Sequence, residues 1–237
     1  MRLDRFVSQA AGLSRSQARN LIRRGRVSVD GRPTRDPASK VDGAARVECT
    51  DTVLSLPQPQ YLMMNKPCGL LCATSDDEQA TVMTLLPRAL ATRLHPVGRL
   101  DKETSGLLLL TDDGAWSHRV TSPRHHCAKT YLAELAEPLV AEAEQRLLQG
   151  LVLHNEQKPT QPAKLQRLGA CRARITITEG RYHQVRRMFA ALGNRVVALH
   201  RERIGGLVLD GGLEAGHWRA LSAGERTAVL SPGDRLV

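Results

Sequence analysis

Aromatic residues are scarce: two Phe, three Tyr and two Trp make up only 3% of the 237 residues. Stacking on aromatic rings therefore cannot be the main way this protein grips a ligand, and its core must be largely aliphatic. No apolar run approaches the roughly 18 residues a membrane span needs. The N-terminus, MRLDRFVSQ, reaches charge at once and lacks the apolar stretch of a secretory signal. The five cysteines, Cys49, Cys68, Cys72, Cys127 and Cys171, are odd in number and irregular in spacing, which argues against a disulfide framework and for a reducing compartment. A cytoplasmic protein with no membrane partner is expected.

Several chemistries lack their signatures. There is no GxGxxG with a following acid and no GxxxxGK[ST], so dinucleotide and P-loop sites are not expected. A nucleophile elbow, GxSxG, is also missing. His125-His126-Cys127 and Cys68-x-x-x-Cys72 hold metal-ligand types but not the paired spacing of a tetrahedral site. The expectation is chemistry without metal or cofactor.

What the chain has in excess is positive charge, a formal +10. Such an excess favours a polyanionic partner, with nucleic acid ahead of an anionic membrane. It is unevenly spread: residues 1–48 hold eleven Arg or Lys against five Asp or Glu, which is +6 of the +10. Leu3, Phe6, Val7 and Ala10 predict a short amphipathic helix ending near Gly12. Ser14 and Gln17 form a capping box for a second helix with Ala18, Leu21 and Ile22 on its apolar face and Gly25 as its stop. Arg15, Arg19, Arg23 and Arg26 then fall on one helical stripe with few acidic partners, suited to a phosphate backbone. Arg26 to Gly31 reads as a strand closing in an Asp-Gly turn, and Val47 to Leu56 as further strand. This unit, residues 1–48, resembles an S4-type RNA-binding domain. Residues 49–60 are expected to be a linker stiffened by Pro57 and Pro59, and residues 61–237 a second domain.

In the second domain Tyr61–Lys66, Leu107–Leu110, Tyr131–Leu135 and Arg174–Thr178 read as strands, and Val140–Gln149 and Val185–Ala191 as helices. Strands interleaved with helices predict an α+β domain. Asp101 sits in a polar loop, Gly98 to Gly106, directly before the apolar run, where a strand fixes what a loop presents. Taken alone, an Asp in a Gly-flanked polar loop is more often a turn former or helix cap than a catalyst. Three further segments stand out: Ser122 to Tyr131, Thr178 to Met188, and His200 to Leu207, whose Gly pair permits close backbone approach. In these, Arg187 suits a phosphate contact and His183 a packed core histidine.

The blocks GRLDKETSGLLLLTDDG, SPRHHCAKTY and EGRYHQVRRMFAALGN, in that order, resemble those of the RsuA-type branch of ribosomal RNA pseudouridine synthases, and the likeness spans the chain. It implies a mixed, mainly antiparallel catalytic sheet behind a small S4-like α/β domain. It also implies an isomerase acting on small-subunit 16S rRNA, at position 516 in the usual rRNA numbering, free or in an assembling particle, and working as a monomer. Carried over, it makes Asp101 the nucleophile, Tyr131 the general base and Arg186 the ion-pair partner of Asp101, in a place where lysine is common in the branch. Arginine pairs with a carboxylate bidentately, so that difference is compatible with activity. The target must be flipped from its stack to be reached, which makes Arg99 a candidate wedge or phosphate contact. Lys129 and Arg187 are further candidate RNA contacts, and His183 and Gln184 candidate supports behind the site. A large-subunit rRNA target, or a non-catalytic assembly factor, are the alternatives.

Overall fold

The computed structural model describes residues 1–42 and 44–231, and the chain divides into two compact units, Met1–Gln58 and Pro59–Val237.

In the first unit the two expected helices are α1, Leu3–Ala11, and α2, Arg15–Arg23. Gly12 ends α1 in the left-handed conformation, and the Ser14–Gln17 capping box opens α2 in both directions. A four-stranded antiparallel sheet follows in the order β2-β1-β3-β4: β1 Val27–Val29, β2 Arg32–Pro33, β3 Val47–Cys49 and β4 Thr52–Leu54. Leu3, Phe6, Val7, Ala18, Ile22, Val27, Val41 and Val47 make its core. Two expectations need correcting. The run from Val47 is a hairpin rather than one strand, because Thr50 and Asp51 both take positive φ between β3 and β4. The unit therefore reaches Gln58, and residues 49–54, expected in a linker, belong to its sheet.

The arginine stripe also changes. Arg26 lies past the end of α2, its N–H bonded to the Leu21 carbonyl, so helical spacing does not govern it. Arg15 and Arg19 are not without acidic partners. Asp4 of α1, fully buried, accepts hydrogen bonds from Arg2, Arg15 and Arg19 at 3.0–3.2 Å. The Arg2 hydrogen bond, with those of Arg19 and Arg15, holds its carboxyl well below the usual carboxylate range despite burial. One carboxylate thus locks α1 to α2. Arg23 and Arg26 remain exposed, with no carboxylate within ion-pair distance among the described residues.

The second unit is built on one nine-stranded sheet, mixed and mainly antiparallel. Its strands are β5 Tyr61–Lys66, β6 His95–Pro96, β7 Thr104–Thr111, β8 Lys129–Leu135, β9 Lys164–Gly169, β10 Arg172–Ile177, β11 Val196–Ile204, β12 Leu207–Val208 and β13 Trp218–Ala220. The main path runs β13-β5-β7-β11-β8-β10-β9, with β6 on β7 and β12 on β11. Among the described strands, β7 and β11 are the one parallel pair. The helices are α3 Arg88–Ala91, α4 Gly114–Thr121, α5 Ala143–Gln149, α6 Gln184–Ala191 and α7 Ala223–Ala228, so α5 starts three residues later than the sequence pattern suggests.

Strand β7 is the spine. Leu107, Leu108, Leu109 and Leu110 are all fully buried. Successive side chains of a strand face opposite ways, and here Leu108 and Leu110 enter one apolar core while Leu107 and Leu109 enter another. Both faces are therefore covered, which is why the run is uninterrupted rather than alternating. Gly106, opposite Arg201, has φ +103°, and a Cβ there would lie 2.4 Å from the Arg201 carbonyl oxygen. Only glycine lets β7 lie so close to β11. No helix among the described residues is long and apolar enough to cross a membrane.

Candidate active site

The loop entering β7 is held through its backbone. The Asp101 carbonyl accepts from Thr104 N–H at 3.0 Å, closing a turn. The Lys102 carbonyl accepts from Gly69 N–H at 2.8 Å and from Lys66 Nζ at 3.1 Å. Arg186 Nη2 donates to the Glu103 carbonyl at 2.9 Å, and Lys66 Nζ to that of Thr104 at 2.9 Å. All four carbonyls from Asp101 to Thr104 are thus occupied, three of them by groups from distant parts of the chain. Lys66 spends its third proton on the Pro67 carbonyl at 2.8 Å. It is fully buried at the end of β5, and burial pushes its ammonium down from the ordinary lysine value.

Asp101, on this fixed loop, lines a cleft of about 720 Å³ together with Arg99, Lys129, Tyr131, His183, Gln184 and Arg201. Tyr131 enters from β8, 8% exposed. Arg186 Nε stands 3.9 Å from Asp101 Oδ2 and His183 Nε2 3.6 Å from Oδ1, so two nitrogen groups flank the carboxylate at the outer edge of ion-pair distance. Arg186 also donates to the Val196 carbonyl at 3.2 Å. It lines not the main cleft but a smaller cavity of about 410 Å³ shared with Glu103, Glu134, Arg195 and His200. The guanidinium therefore approaches Asp101 from behind.

The other expected residues fall into two groups. Arg99 is exposed at the cleft and free to meet a ligand, with no ion pair found among the described residues. Gln184, 4% exposed, accepts from Arg181 N–H at 2.8 Å and donates to Glu179 at 2.7 Å, bracing the turn that leads into α6. Lys129 is drawn inward: its Nζ donates to the Cys127 carbonyl at 2.8 Å, and burial lowers its ammonium from the ordinary value. Arg187, expected on phosphate, instead donates to Glu156 at 2.6 Å and to the His154 and Tyr182 carbonyls at 2.7 and 3.3 Å. Glu156 is shared with Arg181, which also grips Glu179 and the Lys158 and Pro159 carbonyls. These arginines clamp loops rather than present charge outward.

Two residues escaped the sequence reading. Lys66 closes a strand as its last residue, and a lysine beside Pro67 reads locally as an exposed end. Arg201 lies in a segment singled out only for its basic residues and Gly pair, yet it is 3% exposed. Its Nε donates to the Leu107 carbonyl at 2.8 Å, its Nη1 reaches the Tyr131 hydroxyl at 3.5 Å, and its guanidinium lies 5.9 Å from the centre of that ring. Its Nη2 finds no hydrogen-bond partner among the described residues. A buried, incompletely satisfied cation under the cleft favours a ligand rich in negative charge or carbonyl oxygen. The Gly205–Gly206 pair serves the chain's own packing: a Cβ at Gly205 would lie 2.1 Å from the Val229 carbonyl oxygen. No group of three or more His, Cys, Asp or Glu that could hold a metal occurs among the described residues.

A family model described as RNA pseudouridylate synthase matches residues 60–191, and an S4 domain model matches residues 1–47. The chain belongs to the RNA pseudouridylate synthase family. The ribosomal small subunit pseudouridine synthase A of Escherichia coli (strain K12) is 48% identical over 231 residues, covering 97% of this chain and all of that protein. The protein of the same name from Haemophilus influenzae is 46% identical over 226 residues, covering 95% and 97% of the two chains. A pseudouridylate synthase crystal structure, 45% identical, superposes with a TM-score of 0.72 over 97% of this chain and 99% of that one. The S4-like N-terminal domain and the mixed, mainly antiparallel sheet that the resemblance implies are both present in this pseudouridine synthase.

Proposed function

We propose that this synthase converts a uridine of small-subunit ribosomal RNA, at position 516, to pseudouridine, with Asp101 as nucleophile, Tyr131 as base and Arg186 as the partner of Asp101. The observation that carries the reading is that Asp101 and Tyr131 line one cleft on a fully pinned loop and a buried strand, with Arg186 behind the carboxylate. The isomerisation breaks the bond from ribose C1′ to uracil N1 and forms one from C1′ to C5. A proton leaves C5 and N1 gains one, so the reaction balances without redox partner or cofactor. Between the two bonds the base must be retained. A carboxylate does this by adding covalently to the sugar or to the ring. The group that adds is the carboxylate, and Arg186 Nε at 3.9 Å and His183 Nε2 at 3.6 Å flank its two oxygens. Removal of the C5 proton needs a positioned base, and Tyr131 is held at the cleft wall by Arg201.

RNA is the partner this reading requires, met by one copy of the chain in the cytoplasm, as naked RNA or within an assembling particle. Mapping pseudouridine in 16S rRNA from cells with and without the gene tests the target: the mark at position 516 is expected to vanish with the gene and return with the wild-type copy. A loss in large-subunit RNA instead would redirect the proposal.

For the S4 domain, Arg23 and Arg26, both exposed and with no ion pair among the described residues, are phosphate contacts that this reading implies. The pair Arg23→Gln and Arg26→Gln is expected to lower the slope of log affinity against log salt by about 1.5, because each neutralised phosphate releases a fraction of a counterion. Titrations of RNA binding from low to physiological salt check this. An unaltered slope would assign both residues to a solvated face.

A further inference from the structure

In a chain this poor in aromatics, the side chain that stands out is Tyr182, 75% exposed at the cleft. Its ring lies flat on the His183 imidazole, with centres 3.8 Å apart and planes 18° apart. His183 in turn reaches Asp101 at 3.6 Å. A continuous stack therefore leads from solvent to the carboxylate, with one face of Tyr182 covered by His183.

The backbone beneath this stack is rigid. Arg181 N–H bonds to Gln184, the Tyr182 carbonyl accepts from Arg187, and the Arg181 guanidinium is tied to Glu156, Glu179 and two carbonyls. His183 holds φ +48°, a left-handed conformation that a non-glycine residue adopts only when its surroundings enforce it. Strain and a dense clamp are thus spent on a turn whose product is an outward-facing tyrosine. An exposed aromatic ring usually lowers its free energy by turning against apolar surface; here the ring is 75% exposed and stacked only on the imidazole side.

We propose that Tyr182 is a stacking platform for the nucleobase next to the target uridine. The platform rests on the assignment of the cleft as the uridine site and adds a subsite to it. Flipping a nucleotide removes a stacking partner from each of its neighbours. A flat, prepositioned ring beside the cleft replaces one of them, and it does so without regard to base identity, since every base has a π-face. One platform is consistent with the low aromatic content: the phosphates carry most of the grip, and the ring fixes where the strand bends into the cleft.

The test is a cycle between protein and RNA. Wild type, Tyr182→Ala and Tyr182→Phe are titrated with a small-subunit RNA fragment containing the target. The same fragment is then used with an abasic nucleotide placed in turn on the 5′ and 3′ side of the uridine. Pseudouridine formation by the wild type on the intact fragment is followed in parallel, and melting temperatures verify that all three proteins fold. Tyr182→Ala is expected to bind the intact fragment about tenfold more weakly, the order of one lost base stack, and Tyr182→Phe to retain affinity. One of the two abasic sites should weaken wild-type binding by a similar factor yet leave Tyr182→Ala unaffected. If the wild type forms pseudouridine but neither abasic site couples to residue 182, the platform is wrong and the cleft assignment stands. If the wild type forms none, the cleft assignment fails and the platform with it.

Discussion

Asp101→Asn is expected to lower pseudouridine formation by at least about 10⁴-fold, the order found when an enzyme loses its nucleophile. RNA affinity and melting temperature should stay close to those of the parent. The substitution is nearly isosteric, and the loop does not depend on the side chain: its carbonyls are held by Thr104, Gly69, Lys66 and Arg186. In the proposed role only the capacity to add covalently is removed, since an amide oxygen is a far weaker nucleophile than a carboxylate. Single-turnover assays with RNA in excess of its dissociation constant separate the chemical step from binding. Turnover within tenfold of the parent would remove Asp101 from the nucleophile's role.

The second large effect concerns a residue outside the cleft. Lys66→Met conserves most of the volume but takes away the donor that serves Pro67, Lys102 and Thr104. The Lys102 carbonyl keeps Gly69 N–H, whereas those of Pro67 and Thr104 lose the lysine donor. Leaving buried acceptors unpaired costs about 1–3 kcal/mol each. Relief of burying an ammonium offsets part of that, so a net loss of roughly 2–4 kcal/mol is expected. For a unit of this size that corresponds to a fall of about 5–15 °C in Tm. The rate should fall too, by about 10–100-fold, because a loosened loop no longer fixes the Asp101 carboxylate to within an ångström. Calorimetry and single-turnover rates on the same preparation check both. A variant that melts with the parent would mean that the loop finds other donors.

Local patterns in the sequence were read correctly where the physics is local. Four consecutive leucines can be satisfied only with both strand faces covered, and Ser14 and Gln17 cap a helix within their own turn. The hairpin at Thr50-Asp51 was missed because neither residue is glycine, although both adopt positive φ. Partners that come from elsewhere leave no local trace. Asp4 reads as one polar residue in an amphipathic helix, and nothing near it announces three arginines, two of them from α2. Arg187 and Arg186 are adjacent and alike in sequence, yet one clamps Glu156 and the other stands behind Asp101. Arg201 looks like surface charge until β11 is placed between β7 and β8. Residues of all three motif blocks line one cleft, while burial and pairing show that Arg187 and Lys129 are tied to the chain's own carbonyls and carboxylates.

The parallel pairing of β7 with β11 has a consequence for the order of events during synthesis. The antiparallel partner of β7 toward the N-terminus, β5, is made before it, but Arg201 comes 95 residues after Gly106 and Arg186 83 residues after Glu103. At about 5–20 residues per second, a ribosome takes roughly 5–20 s to add the missing side of the sheet. Throughout that interval the nascent chain has its Asp101 loop without the guanidinium behind it and a spine strand with an open edge. Completion of the site therefore waits on α6 and β11, both made long after the loop and the strand they support.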